Sequence, residues 1–332
     1  MLYNPNNGSS GVDAMTSSPA LSLIQAHAAR HGAAPADPLR QTLAEARASA
    51  LAYQGIWNHD LPPLARRQDI TADGLRLRLL DSQPQGPSRR PVLLYFHGGG
   101  FALNSVDTHE RLLRLLAQRS GAAVLALGYS LAPEARFPRQ VDEALAAIAW
   151  VRAHGADFGL DGNALAVGGD SAGANLALAA MLRLRDQRLP QPRLGVLLYG
   201  MFSADLLTAS HQRFGGGQFG LTTERVDWFW SQYLADFAQR DNPLAAPLLA
   251  DLHGLPPQLV IGAGLDCLLD DSLALAEKLR RVGIPHQLSV YDGVPHSFMQ
   301  MSAVLDQAQA AIDETARALA EALMTPQLQA AE

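Results

Sequence analysis

Residues 164–180 read ALAVGGDSAGANLALAA, and the centre of that stretch, Gly169-Asp170-Ser171-Ala172-Gly173, has the spacing G-x-S-x-G. The apolar run before it has the length and composition of a buried strand, and the alanine-rich run after it has helical character. A serine held between a strand and a helix, with glycines on both sides, predicts a nucleophile elbow. The sharp turn lifts the hydroxyl above the sheet, and the glycines let strand and helix approach where a Cβ would clash. The helix N-terminus behind Ser171 offers unpaired N–H groups to a developing negative charge. A glycine-rich strand-to-helix turn without chemistry is the plainer alternative, and the strand and helix on either side favour the elbow.

The surrounding chain has the rhythm of an α/β protein. Short apolar runs lie at 92–96, 122–129, 164–169, 194–200, 258–264 and 286–292, with helical spacing near 107–120, 138–154, 171–187, 270–282 and 299–323. Continuous apolar strands separated by helices predict a mostly parallel sheet covered on both faces. Alternating residues around Asp73-Gly74 predict a hairpin with strands near 66–71 and 75–80, for about eight strands in all. Helical patterns at 20–31 and 37–57 precede the first strand. The connection 201–257 is far longer than an ordinary crossover and holds FGGGQFG at 214–220, followed by a helix starting near Thr222. The boundaries that follow are a disordered leader over 1–19, N-terminal cap helices over 20–60, a catalytic domain over 61–200 and 241–325, and a cap insertion over 201–240. Met15 offers a second candidate start.

The other chemical signal is HGGGF at 97–101, directly after the strand VLLYF. Three glycines, Gly98, Gly99 and Gly100, leave backbone N–H groups unhindered. Gly98 and Gly99, with Ala172, are the expected donors to an oxyanion, each contributing up to a few kcal/mol. A phosphate-binding loop is disfavoured, because no G-x-G-x-x-G opens a helix and no P-loop lysine is present. His97 is expected to brace the glycine loop. A serine needs a base oriented by a carboxylate, in the chain order Ser, acid, His. His296 lies in a short loop after the last strand, whereas His286 begins that strand and reads as a packed or surface residue. Asp266 lies in the loop after the preceding strand. Asp270 and Asp271 read as caps for the following helix, and Asp292 as a turn residue. His27, His31, His59, His109, His154, His211 and His253 lack metal-ligand spacing and read as surface or packing residues.

HGGGF, GDSAG, YSLAPEARFP at 129–138, DCLLDD and the final PHSF together resemble the hormone-sensitive-lipase-like family of bacterial carboxylesterases, of the α/β-hydrolase fold. The match runs from about residue 65 to 320, with Asp266 and His296 thirty positions apart. Within the family the chain looks most similar to acetyl esterases of the GDSAG type. The resemblance implies Ser171, Asp266 and His296 as triad, Gly98, Gly99 and Ala172 as oxyanion hole, and a two-part cap from the N-terminal helices and the 201–240 insertion. It also implies short-chain acyl esters as substrates, a structural role for Tyr129 and Glu134, and, by family habit, a homodimer. Cys267 departs from the pattern, where proline is common. An amide hydrolase or lactonase would use the same triad. A non-catalytic ligand receptor on this fold would lack a triad member.

Composition narrows the remaining classes. The chain has 332 residues, 48% of them hydrophobic and 17% charged, so it can bury a large core. A net charge of −6 gives no basic face for nucleic acid. No apolar run reaches the roughly 18 residues of a membrane helix, and the opening residues have no basic segment followed by an apolar core, so no signal peptide is expected. One cysteine excludes an intrachain disulfide and a multi-cysteine metal site. The expectation is a cytoplasmic, cofactor-free and metal-free enzyme acting on a small-molecule ester. Its activity should rise toward mildly alkaline pH as the histidine becomes neutral.

Overall fold

The computed structural model describes residues 18–86 and 88–324. Eight strands form one sheet: β1 Arg66–Ala72, β2 Leu75–Asp81, β3 Arg90–Phe96, β4 Ala123–Leu127, β5 Leu160–Asp170, β6 Leu194–Leu198, β7 Gln258–Leu265 and β8 His286–Pro295. Their order is β1-β2-β4-β3-β5-β6-β7-β8. β1 and β2 form the expected hairpin, β2 runs antiparallel to β4, and every pairing from β4 to β8 is parallel. The hairpin turns at Asp73 (φ 53°) and Gly74 (φ 78°), the pair of positive φ values that matches strand twist.

The two-residue period of the strands divides the core into two layers. Val92, Leu94 and Phe96 face one layer and Leu93 and Tyr95 the other. The first layer is closed by α4 (Arg139–His154), α5 (Ala172–Asp186) and α8 (Leu269–Arg281), the second by α3 (Glu110–Ser120) and α9 (Asp306–Met324). β4, β6 and β7 are buried along their whole length, which is why they read as continuous apolar runs rather than as alternation. β1, with Arg66, Arg67, Gln68 and Asp69, is an edge strand protected by charge.

Two segments outside this frame lie over the carboxyl ends of the strands. One holds α1 (Pro19–Arg30) and α2 (Leu43–Gly55); the other holds α6 (Ala209–Phe214) and α7 (Thr223–Tyr233). α2 starts later than the periodicity suggests because Thr42 and Glu45 form a reciprocal capping box there. The helix expected over 299–323 divides into a single turn at Phe298–Met301 and α9. Residues 1–17 of the expected leader, Met1 and Met15 included, lie outside the described residues. Ser18 and Pro19 belong to the ordered fold instead: Pro19 opens α1 and the Ser18 hydroxyl donates to the Gly293 carbonyl at 2.5 Å. β8 continues past Asp292 to Pro295 with a register shift, so Asp292 does not end the strand.

Candidate active site

β5 delivers Ser171 at a backbone conformation of φ 54°, ψ −119°, followed at once by α5. A side chain there accepts local strain to stand out of the sheet. Close packing holds the turn: a Cβ on Gly173 would overlap the Phe96 carbonyl at the end of β3, and one on Gly169 would meet both that carbonyl and the Gly173 backbone.

His296 follows β8 and Asp266 follows β7, two neighbouring parallel strands, so both side chains reach the same sheet edge. His296 Nε2 is 2.9 Å from Ser171 Oγ, and His296 Nδ1 is 2.6 Å from Asp266 Oδ2. An Nδ1–H donating to the carboxylate leaves Nε2 to accept the serine proton. Asp266 is only 1% exposed, and its other oxygen accepts the Leu268 N–H at 3.0 Å. The Tyr199 ring meets His296 edge-on at 5.2 Å, fixing the imidazole plane. His286 lies away from this group, its Nδ1 2.8 Å from the Ile284 carbonyl.

The glycine loop departs from expectation by one residue. Gly98 N–H donates to Asp170 Oδ1 at 2.9 Å and therefore does not face substrate. Gly99 and Gly100 border the cavity together with Ser171 and His296. Ala172 opens α5, where its N–H has no intrahelical acceptor. Gly99 and Gly100, rather than Gly98, are thus the loop glycines placed at the cavity beside Ser171. His97 is buried, stacks on Tyr129 at 4.3 Å, and has Nδ1 2.8 Å from the Gly98 carbonyl. The Tyr129 hydroxyl donates to the His97 carbonyl at 2.8 Å. Burial, and then the nearby His109, hold the His97 imidazole at a pKa of about 3, so it packs as a neutral ring.

His109 was not singled out by spacing, yet it is fully buried, with Nε2 3.2 Å from Asp170 Oδ2. Tyr95 donates its hydroxyl to Asp170 Oδ1 at 2.8 Å. Burial works to raise the Asp170 carboxyl; the His109 imidazole and the hydrogen bonds from His109 and Tyr95 outweigh it and hold the carboxyl below its ordinary range. Nothing in the sequence around His109 marks this role, because its partner lies 61 positions away.

Asp270 and Asp271 are not side-chain caps of α8. Asp271 turns inward, 2% exposed, and its Oδ2 accepts the N–H groups of Phe202 and Ser203 at 2.7 and 2.8 Å. Asp270 Oδ2 accepts the Ser210 N–H at 2.8 Å, while the Ser210 hydroxyl donates to the Cys267 carbonyl at 2.7 Å. These bonds tie residues 202–210 to the loop that carries Asp266 and to the start of α8. Burial pushes the Asp271 carboxyl up to about 8, against the two N–H donors. Cys267 is buried, and desolvation raises its thiol well above the ordinary value.

Above Ser171 is a cavity of about 350 Å³. α1, α2, residues 217–221 and α7 wall it, with Leu21, Ile24, Val226 and Phe229 among the apolar lining. Arg47 on α2 fastens this wall to the core: it donates to the carbonyls of Ala102 and Ala132, each at 2.9 Å, and pairs in fork geometry with Glu134, both bonds 2.7 Å. Among the described residues no cluster of three His, Cys, Asp or Glu could hold a metal ion, and no helix is long and apolar enough to cross a membrane.

Several solved structures are similar to this chain in sequence and fold. An esterase from Pyrobaculum calidifontis is 33% identical over 85% of this chain and 94% of its own, with a TM-score of 0.81. An ester hydrolase from the metagenome of Lake Arreo, complexed with a derivative of bipyridine phosphonate, is 31% identical over 92% of this chain and 99% of its own, with a TM-score of 0.85. A thermostable esterase from Pseudomonas putida is 31% identical over 96% of this chain and 100% of its own, also with a TM-score of 0.85. A family model described as alpha/beta hydrolase fold matches residues 93–300. With the elbow, the sheet order and these relatives in agreement, the chain belongs to the alpha/beta-hydrolase-fold family.

Proposed function

We propose that the chain is a serine carboxylesterase that hydrolyses short-chain acyl esters through a covalent acyl-enzyme. The observation that carries this reading is the unbroken relay Asp266–His296–Ser171, at 2.6 and 2.9 Å, opening into the cavity. His296 takes the Ser171 proton as Oγ attacks the ester carbonyl. The carbonyl π electrons move onto oxygen, which the N–H groups of Gly99, Gly100 and Ala172 stabilise. The tetrahedral species collapses as His296, its charge balanced by Asp266, protonates the departing alcohol. Water then enters, gives its proton to His296, attacks the acyl carbon, and the acid leaves with Ser171 restored.

A largely apolar cavity of about 350 Å³, walled by α1, α2 and α7, supports short acyl groups and the acetyl-esterase placement within the family. The esterases among its relatives support ester over amide. The test has two parts. A fluorophosphonate probe should add its mass to the peptide carrying Ser171. A series of p-nitrophenyl esters should peak between about two and six acyl carbons, an apolar pocket discriminating by roughly 1–3 kcal/mol per methylene. No label on Ser171, a maximum at twelve carbons or more, or faster turnover of matched amides would each overturn this reading.

A further inference from the structure

Among the described residues, the cavity above Ser171 is lined mostly by apolar and neutral polar side chains. Arg225 on α7 is the only Arg, Lys, Asp or Glu among the described residues that line it. Its guanidinium forms no ion pair and no side-chain hydrogen bond among the described residues, and its Nε is buried without a partner. The backbone N–H of Arg225 is occupied, donating to Thr222 Oγ1, but that bond belongs to the start of α7. A partly buried guanidinium ordinarily sits against a carboxylate, because removing it from water without one is costly.

The nearest candidates do not serve. Asp37 acts on Arg225 through space, yet its own carboxylate accepts the Leu39 N–H at 3.3 Å and lies 3.6 Å from Arg40. Tyr53, across the cavity wall on α2, is a neutral phenol: burial raises its pKa, with the Arg225 charge working the other way. Burial accordingly holds the Arg225 guanidinium below its ordinary value. Gln54, beside Tyr53, also lines the cavity, and its Oε1 is buried without a partner. The reverse amide orientation would present N–H groups at the same place. One cap helix therefore contributes an unanswered cation and the facing one an unanswered amide, both bordering the cavity that holds the nucleophile.

The geometry points to an anion subsite at Arg225: the ester this protein is built for carries a carboxylate on its acyl or alcohol part, which Arg225 receives while Ser171 attacks the ester carbonyl. The inference rests on the esterase reading and adds to it the charge class of the substrate. Apolar wall residues accommodate the carbon skeleton, and the guanidinium fork supplies the orientation that an apolar pocket lacks.

Two matched pairs test it: 4-acetoxybenzoate against methyl 4-acetoxybenzoate for a charge on the alcohol side, and monoethyl adipate against ethyl hexanoate for one on the acyl side. The wild-type chain should prefer the anionic member of at least one pair. In Arg225→Met the ratio of kcat/KM, anionic over neutral, should fall about tenfold or more for that pair, chiefly through KM. Arg225→Lys should keep part of the preference, and Arg225→Gln replaces the Met variant if that one does not fold. Preference for the neutral member of both pairs, or a ratio that Arg225→Met leaves unchanged, would overturn the proposal. Binding is read separately from turnover with 4-acetamidobenzoate, which should raise the melting temperature of the wild type and not of Arg225→Met. A chain that hydrolyses none of the four esters but shows that shift refutes the esterase reading and retains the anion site; turnover of the neutral esters without shift or preference does the reverse.

Discussion

Gly98 and Asp170 are joined by an N–H···O bond of 2.9 Å across the paired strands β3 and β5, so the first residue of the glycine loop and the residue before the elbow serine move as one unit. Asp170 also receives Tyr95 and contacts His109. Asp170→Ala would leave these buried donors without an acceptor, at about 1–3 kcal/mol for each. We expect a markedly lower melting temperature and a kcat reduced roughly ten- to a hundredfold through misplacement of the oxyanion donors. Asp170→Asn keeps an acceptor oxygen and should recover much of the stability. A kcat unchanged in the Ala variant would show that the loop is held by other contacts.

The same carboxyl predicts an acid limb. Its pKa is depressed in the folded chain, so its contribution is present above the unfolded value of about 4 and is lost as pH falls through the lower folded value. Melting temperatures of wild type and Asp170→Asn, taken from pH 5 down to pH 2, should converge. Parallel curves would count against the assignment.

Asp271 has the opposite sign. A carboxyl raised to about 8 stabilises the fold below its unfolded value of about 4, and that contribution is lost as pH climbs through the folded value. Both N–H groups of the 202–203 turn use one oxygen, Oδ2, which an asparagine can replace. Asp271→Asn should therefore gain in melting temperature relative to wild type between pH 5 and pH 9. A gap that does not widen with pH would mean the buried carboxyl is already ionised.

Ser171→Ala should remove turnover by at least about a thousandfold, since the serine, histidine and aspartate act as a unit. The thermal melt should stay near that of wild type, because Oγ makes its one side-chain bond to His296. Retained hydrolysis of p-nitrophenyl acetate would exclude this serine as nucleophile.

Arg47→Ala should raise KM several-fold with a smaller change in kcat. Its exposed pair with Glu134 is worth little alone, but the side chain also holds the carbonyls of Ala102 and Ala132 and so seats α2 over the cavity. Arg47→Lys, which lacks the fork, should rescue poorly. Equal KM values for all three chains would show that α2 is positioned without it.

Residue order alone determined the strand–helix alternation, the elbow at Ser171 and the loops bearing Asp266 and His296, because periodicity and glycine spacing are local properties that survive in any environment. The hydrogen-bond partner of a given N–H or carboxylate is not local. Gly98 meets Asp170 across 72 positions, and Asp271 meets Phe202 across 69. Only the folded sheet decided that Gly98 faces inward while Gly99 and Gly100 border the cavity, that Asp271 anchors the 202–203 turn instead of capping a helix, and that Arg225 has no carboxylate partner among the described residues. In each case the deciding factor is which groups burial brings within 3 Å and which it leaves unanswered.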